Sequence, residues 1–190
     1  MKKATIIAAL LIASAATTFA QTWTADKAHS RVGFNVTHLS VAELGGTFNS
    51  IDAKLTSSKP DFTDAVVEFS ADVNSINTDN EQRDTHLKSP DFFDAAKFPT
   101  LTFKSTSFKK VSDKKYKVSG NLTLKGVTKP VVLDVVLGGT STNPMSKKEV
   151  VGFKITGTIK RSDFGVAAGM PTAMLSDEVT LNAGTEFTKD

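Results

Sequence analysis

A chain of 190 residues with 39% hydrophobic and 23% charged side chains has the balance of a folded protein with a sizeable core. It contains no cysteine, which excludes disulfides, thiolate nucleophiles and thiolate metal sites together. Its formal charge is +3, but Lys2 and Lys3 lie at the extreme N-terminus; beyond residue 20 there are 21 basic and 20 acidic side chains, which gives no bulk electrostatic case for nucleic acid.

In chain order, Lys2 and Lys3 precede an apolar run at 6–13 (IIAALLIA), and Thr18-Phe19-Ala20 sets small residues at the minus-three and minus-one positions before Gln21. A membrane span needs about 18 or more apolar residues, so this run reads as a signal peptide over 1–20. The expectation is a single exported domain at 21–190, periplasmic or secreted after cleavage near Ala20/Gln21.

Beyond Gln21 the dominant signal is period-two alternation, which marks strands with one dry and one wet face. Residues 31–38 (RVGFNVTH) set Val32, Phe34 and Val36 on one face, and His38 continues that parity. Ile51, Ala53 and Leu55 share a face in 47–56, as do Ala65, Val67, Phe69, Ala71 and Val73 in 64–73. The pattern returns with Leu101 and Phe103 in 100–108 and with Tyr116, Val118, Leu122 and Leu124 in 115–125. Val131, Leu133, Val135 and Leu137 follow in 129–138, then Val151, Phe153, Ile155 and Ile159 in 149–160. Val179, Leu181, Ala183 and Phe187 complete the series in 178–188. Eight strands result. Short turn-forming groups such as Ser112-Asp113-Lys114-Lys115 and Gly126-Val127-Thr128 join them, and short connections favour antiparallel neighbours.

Residues 78–98 break the alternation and carry two helix starts. Thr78-x-x-Glu81 fits a capping box. Ser89-Pro90-Asp91 reads as an N-cap with proline at the first helical position, and Pro99 ends the second helix. Two short helices are therefore expected between the third and fourth strands. Eight strands with one apolar face each fit either a sandwich or a closed barrel, and such a barrel either fills with side chains or holds one small ligand. Periodicity leaves both questions open.

Five segments carry a resemblance: HSRVGFNVTHL (29–39), GGTF (45–48), the string TDNEQRDTHLKSPDFFDAAKFPTLTFKS beginning at Thr78, GNLTLKGVTKPVVL (120–133) and KRSDFGV (160–166). In this order and spacing they are similar to the YceI-like polyisoprenoid-binding family, from about Trp23 to the last strand. The resemblance implies an all-β, eight-stranded antiparallel lipocalin-like barrel with a short helical insert between strands 3 and 4. It further implies an elongated apolar pore holding a long-chain isoprenoid lipid of quinone or polyprenyl type as ligand, with no cofactor. The segment Val166 to Leu175 (VAAGMPTAML) departs from the family pattern; it reads as a flexible loop at the pore mouth or a packed loop over the barrel end.

The lipid-contacting residues expected on this basis are Phe34, Val36, His38, Phe69, Phe103, Leu122 and Phe153 on strands, Arg83, Phe92 and Phe93 in the insert, and Phe164 in KRSDFGV. Each phenylalanine has an alternative role in ordinary core packing. His38 at a strand end can bond a headgroup or cap the core. Arg83, Asp84 and His86 can hold a quinone carbonyl or diphosphate, or form a local network that pins the insert. The histidines His29, His38 and His86 do not form a local ligand pair, so no metal is expected. Asp84, Asp91 and Asp94 read as helix acids, and no catalytic residue is assigned. The lysines at 109, 110, 114, 115 and 117 read most simply as a solvated hairpin, with a weak contact to anionic membranes as the alternative. The expected partners are a long-chain isoprenoid or similar lipid, a transient membrane contact and a second copy in a homodimer. A carrier of fatty acids or fatty amides is the alternative on the same barrel; a lipid-modifying enzyme and a filled barrel used for protein contacts are more distant readings.

Overall fold

A computed structural model describes residues 19–190, so all but the last two residues of the expected signal peptide lie outside the described chain. The strands are β1 (Gln21–Ala25), β2 (Arg31–His38), β3 (Ala42–Phe48), β4 (Ile51–Ser57), β5 (Val66–Asp72), β6 (Ile76–Asn77), β7 (Thr100–Ser112), β8 (Lys115–Leu124), β9 (Val127–Thr142), β10 (Glu149–Lys160) and β11 (Leu175–Lys189). The one α-helix among the described residues, α1, covers Glu81–Leu87. It is neither long nor apolar enough to cross a membrane.

These strands form eight staves. Along β11, residues Leu175–Gly184 pair with β2 and residues Phe187–Lys189 with β1, so β1 and β2 lie end to end as one interrupted stave. In the same way β4 pairs with β1 while β3 pairs with β2, and β5 pairs with β4 while β6 pairs with β3. From β5 the sheet continues through β7, β8, β9 and β10 back to β11, every pairing antiparallel. The ring is closed, which decides between sandwich and barrel and removes the free edges an open sheet exposes.

β2 and β10 match the alternating segments residue for residue, while β7, β9 and β11 run longer than the pattern showed. The expected strand at 47–56 is interrupted at Asn49–Ser50, where β3 ends and β4 begins. β1 and the two-residue β6 are too short to show a period.

The helical insert differs from expectation. The cap of α1 is Asn80, whose side chain accepts from the Arg83 N–H; Thr78 instead donates to Asp84. Residues 90–98 form turns, not a second helix. Asp94 has φ +51°, outside the right-handed helical region, and the Ser89 hydroxyl is buried without a partner, so it caps nothing. Phe92, Phe93 and Ala95 are buried against the barrel end. The positive φ at Asp94 stops any helix started at Ser89, and the turns that replace it bury Phe92 and Phe93 together.

The far end is closed by aromatic rings. Trp23 meets Phe62 at 5.9 Å, Phe62 meets Phe153 at 5.5 Å, and Phe153 meets Phe187 at 6.1 Å, all near edge-to-face. Phe62 reaches this cluster from the loop between β4 and β5. That loop is held by Asp64, which accepts from the Ser57 and Ser58 hydroxyls and from the Ser58 and Lys59 amides.

Those bonds, the Ser57 hydroxyl foremost, hold the Asp64 carboxyl well below its ordinary value against the opposing effect of burial. A depressed carboxylate stabilises the fold above its unfolded pKa, and that contribution is lost as pH falls toward the folded value. Asp64→Asn should therefore cost on the order of 1 kcal/mol near neutrality, screening keeping it small. In urea titrations the gap between parent and variant should narrow as pH falls from about 5 to about 2. A constant gap across that window would remove the carboxylate from this role.

Candidate functional site

Inside the ring, many side chains that point inward are only half-buried. Val32, Phe34, Val67, Phe69, Leu133 and Leu181 all have inward parity yet pack only partly against the core. Native interiors are close-packed, so inward residues with open surface mean empty space beside them. That space is a cavity of about 580 Å³. It falls within the roughly 300–1,000 Å³ of small-molecule sites. Glycines shape its wall: a Cβ at Gly120 would lie 2.3 Å from the Phe103 ring, and one at Gly46 would lie 2.5 Å from the Phe34 ring. Each glycine thus lets an aromatic ring lie flat across the neighbouring strand.

Of the residues expected to contact a ligand, Phe34, Val36, His38, Phe69, Arg83, Phe92, Phe93, Phe103, Leu122 and Phe153 line this cavity. Phe164 does not. It is fully buried in the short 3-10 turn Arg161–Phe164 after β10, where it packs in the core.

Polarity is distributed along the cavity, and this identifies its mouth. His38, Thr78, Arg83, His86 and Arg161 all line the end that carries α1 and the loop after β10, whereas the opposite end is walled by Phe108, Phe153 and Phe187, with Thr185 opposite Phe153 as an uncharged polar group whose hydroxyl is buried without a partner. Arg83 donates from Nε to the Thr78 hydroxyl at 2.7 Å and from Nη2 to the Thr78 carbonyl at 2.6 Å. Asp84 accepts from the Thr78 amide and hydroxyl at 2.9 and 2.6 Å. Arg83 and Asp84 thus meet through Thr78, the local network foreseen as one role for them, while Arg83 still faces the cavity. His86 stands edge-on to Phe92 at 4.8 Å.

The residue that sequence reasoning missed is Arg161, only 5% exposed. Its Nε donates to the Ser176 carbonyl, Nη1 to Val166 and Ala167, and Nη2 to Met170 and Leu175. All five guanidinium donors are used, which is what allows a cation to be buried without a carboxylate partner. Among the described residues no carboxylate forms an ion pair with it. The segment 166–174 is consequently tied by its backbone around one side chain, with Val166 and Ala167 buried and 171–174 exposed. The signal was present in parity: Ile155, Gly157 and Ile159 face inward, and Arg161 is the next position in that series.

Outside the cavity, Asp26, His29 and Glu186 bring potential metal ligands within 4.8 Å of one another. The His29 Nδ1 and Asp26 Oδ2 are already 2.9 Å apart, and this hydrogen bond raises the His29 pKa and lowers that of Asp26. Asp26 Oδ1 also accepts from the Ala28 and His29 amides, so the group is a self-satisfied turn between β1 and β2.

Comparison with known proteins adds to this geometry. Residues 23–187 match the YceI-like domain family. A UPF0312 protein of Staphylococcus aureus strain MSSA476 is 38% identical over 169 residues, covering 87% of this chain and 96% of its own. Among solved structures, the Campylobacter jejuni YCEI protein is 35% identical with a TM-score of 0.72, covering 87% of this chain and 96% of its own. A polyisoprenoid binding domain from Saccharophagus degradans shares the fold at TM-score 0.64 with 17% identity, covering 90% of this chain and 99% of its own.

Replacing Arg161 by lysine keeps the charge but leaves three mobile donors for five carbonyls. Arg161→Lys should lower stability by about 2 kcal/mol. Amide hydrogen exchange should accelerate across 166–175 in particular. Unchanged exchange there would show that the loop does not depend on the guanidinium.

Proposed function

The chain belongs to the YceI-like family, and from that premise we propose that it binds and carries a long-chain isoprenoid lipid, of quinone or polyprenyl type, in the barrel cavity. The observation that carries this reading is the asymmetry of the cavity: a predominantly apolar bore, aromatic at the closed end, with its charged and imidazole side chains gathered at the mouth. Such a site suits a molecule that is almost all hydrocarbon with one polar head.

Burial of hydrocarbon supplies the driving force. At about 0.8 kcal/mol per methylene, each five-carbon unit contributes roughly 3–4 kcal/mol gross. Ordering of the chain offsets a large share. Affinity should therefore rise with tail length until the bore is full, while the head sets orientation. The bore has the length of one extended hydrocarbon chain, and the resemblance to a polyisoprenoid binding domain favours an isoprenoid. Cavity-lining residues on β11 run from Leu175 to Phe187. With the register shift between Leu175 and Val179 this is about ten extended steps of about 3.3 Å, which on strands tilted by roughly 40° span about 25 Å along the barrel axis.

We read the protein as a binder and not an enzyme, because the two arginines at the mouth are engaged in holding Thr78 and the 166–175 backbone. Export to the periplasm or beyond is part of the proposal; the leader-like residues 1–20 support it, and the first strand begins at Gln21, directly after the expected cleavage point.

The reading is tested by mass spectrometry of organic extracts from the purified protein and by titration with a long-chain quinone. A stoichiometric isoprenoid, or saturable uptake of the quinone, is the expected result; neither appearing would sink it. Ala183 faces the cavity from β11, and Ala183→Trp should fill the bore. The variant should keep its melting temperature within a few degrees and lose quinone binding at least tenfold. A barrel that was already full would instead lose about 1–3 kcal/mol through overpacking.

A further inference from the structure

The turn joining β2 to β3 combines two properties that ordinarily exclude each other. Leu39 and Ser40 both have positive φ, +50° and +59°, the conformation for which hairpins use asparagine and glycine. A leucine there is strained, since its Cβ crowds the backbone in the left-handed region. It is also exposed, at 51%, so no core packing offsets the strain. Val41 is 84% exposed and Met174, on the adjoining loop, 47%. The Leu39 amide donates to the Met174 carbonyl at 2.9 Å, which joins this turn and the adjoining loop into one rim. A local rule broken without a folding benefit marks a position held for another purpose.

This rim borders the cavity mouth. His38, immediately before the turn, and Met174 itself both line the cavity. We propose that Leu39, Val41 and Met174 form the surface by which the protein touches a lipid bilayer, so that a hydrocarbon chain passes between membrane and bore without crossing water. The inference rests on the lipid-carrying reading above and deepens it by naming where loading occurs. The occupant is a bilayer surface engaged by apolar insertion and not by charge: Glu43 and Asp177, the charged neighbours on these segments, are both acidic. The lysine-rich hairpin between β7 and β8, the other candidate for a membrane contact, projects from the opposite, closed end beside Tyr116.

The experiment follows transfer of ubiquinone-10 from phosphatidylcholine vesicles to the full mature chain, with loading from detergent measured alongside. The variant Leu39→Asn/Val41→Ser suits the turn better than the parent sequence, so loss of folding does not confuse the result. For the parent, the transfer rate should increase with vesicle concentration, as collision requires, and should change little between low and high salt. For the variant, the rate should fall at least tenfold and lose its dependence on vesicle concentration, while loading from detergent is unchanged. Equal transfer by parent and variant, or a parent rate independent of vesicle concentration, would overturn the membrane contact. Absence of loading from detergent by the parent would overturn the lipid-carrying reading itself. Flotation of the ligand-free parent, but not the variant, with vesicles of the same composition checks the contact independently of the cavity; parent and variant floating equally would also count against it.

Discussion

Closure of the ring through β11 is the constraint on which the rest of the structure depends. This one strand of 15 residues pairs with β10 on one side and with β2 and then β1 on the other. Because every neighbour is hydrogen-bonded around the circuit, the radius is set by strand number and stagger and not by the volume of the side chains inside. A sandwich can settle until its two faces touch. A closed eight-stave ring cannot, and any shortfall of side-chain volume remains as space. The half-buried Val32, Phe69 and Leu181 are the local expression of that shortfall.

The two ends of the ring deal with this space differently. At the closed end, Phe62 is carried inward by the β4–β5 loop, and Trp23, Phe153 and Phe187 complete a mutually edge-on cluster. At the mouth, three strands are interrupted or short, and α1 with the following turns fills the gap between β6 and β7. Polar groups concentrate there because the irregular backbone leaves carbonyls and amides that need partners. Thr78, with Arg83 and Asp84, satisfies one side of the mouth; Arg161 satisfies the other. The same groups that complete the backbone hydrogen bonding therefore give the cavity its polar pole.

The mouth thus has a rigid frame and an apolar lip. Arg161 fixes the 166–174 loop, that loop meets the β2–β3 turn through the Leu39–Met174 hydrogen bond, and the exposed side chains of both project beyond the frame. Cavity and lip lie along one axis, from an aromatic floor through a predominantly apolar bore to a polar ring and an apolar edge.

Much of this was legible in the residues alone. Alternation located β2 and β10 to the residue, and inward parity placed Phe34, Phe69, Phe103, Leu122 and Phe153 on the face that lines the cavity, because a strand's period of two leaves its side chains no other choice. Where side-chain direction depends on contacts between distant segments, sequence reasoning went astray. Ser89-Pro90-Asp91 has every local mark of a helix start, yet burial of both Phe92 and Phe93 against the barrel overrode it. Phe164 looked like a pore residue and is packed in the core, while Arg161 gave no local sign that five carbonyls would gather around it. Strand faces follow from the covalent geometry of the chain itself. Closure, the hollow interior and the identity of the mouth follow only from which strand meets which, and that is settled by pairings between residues as far apart as Trp23 and Lys189.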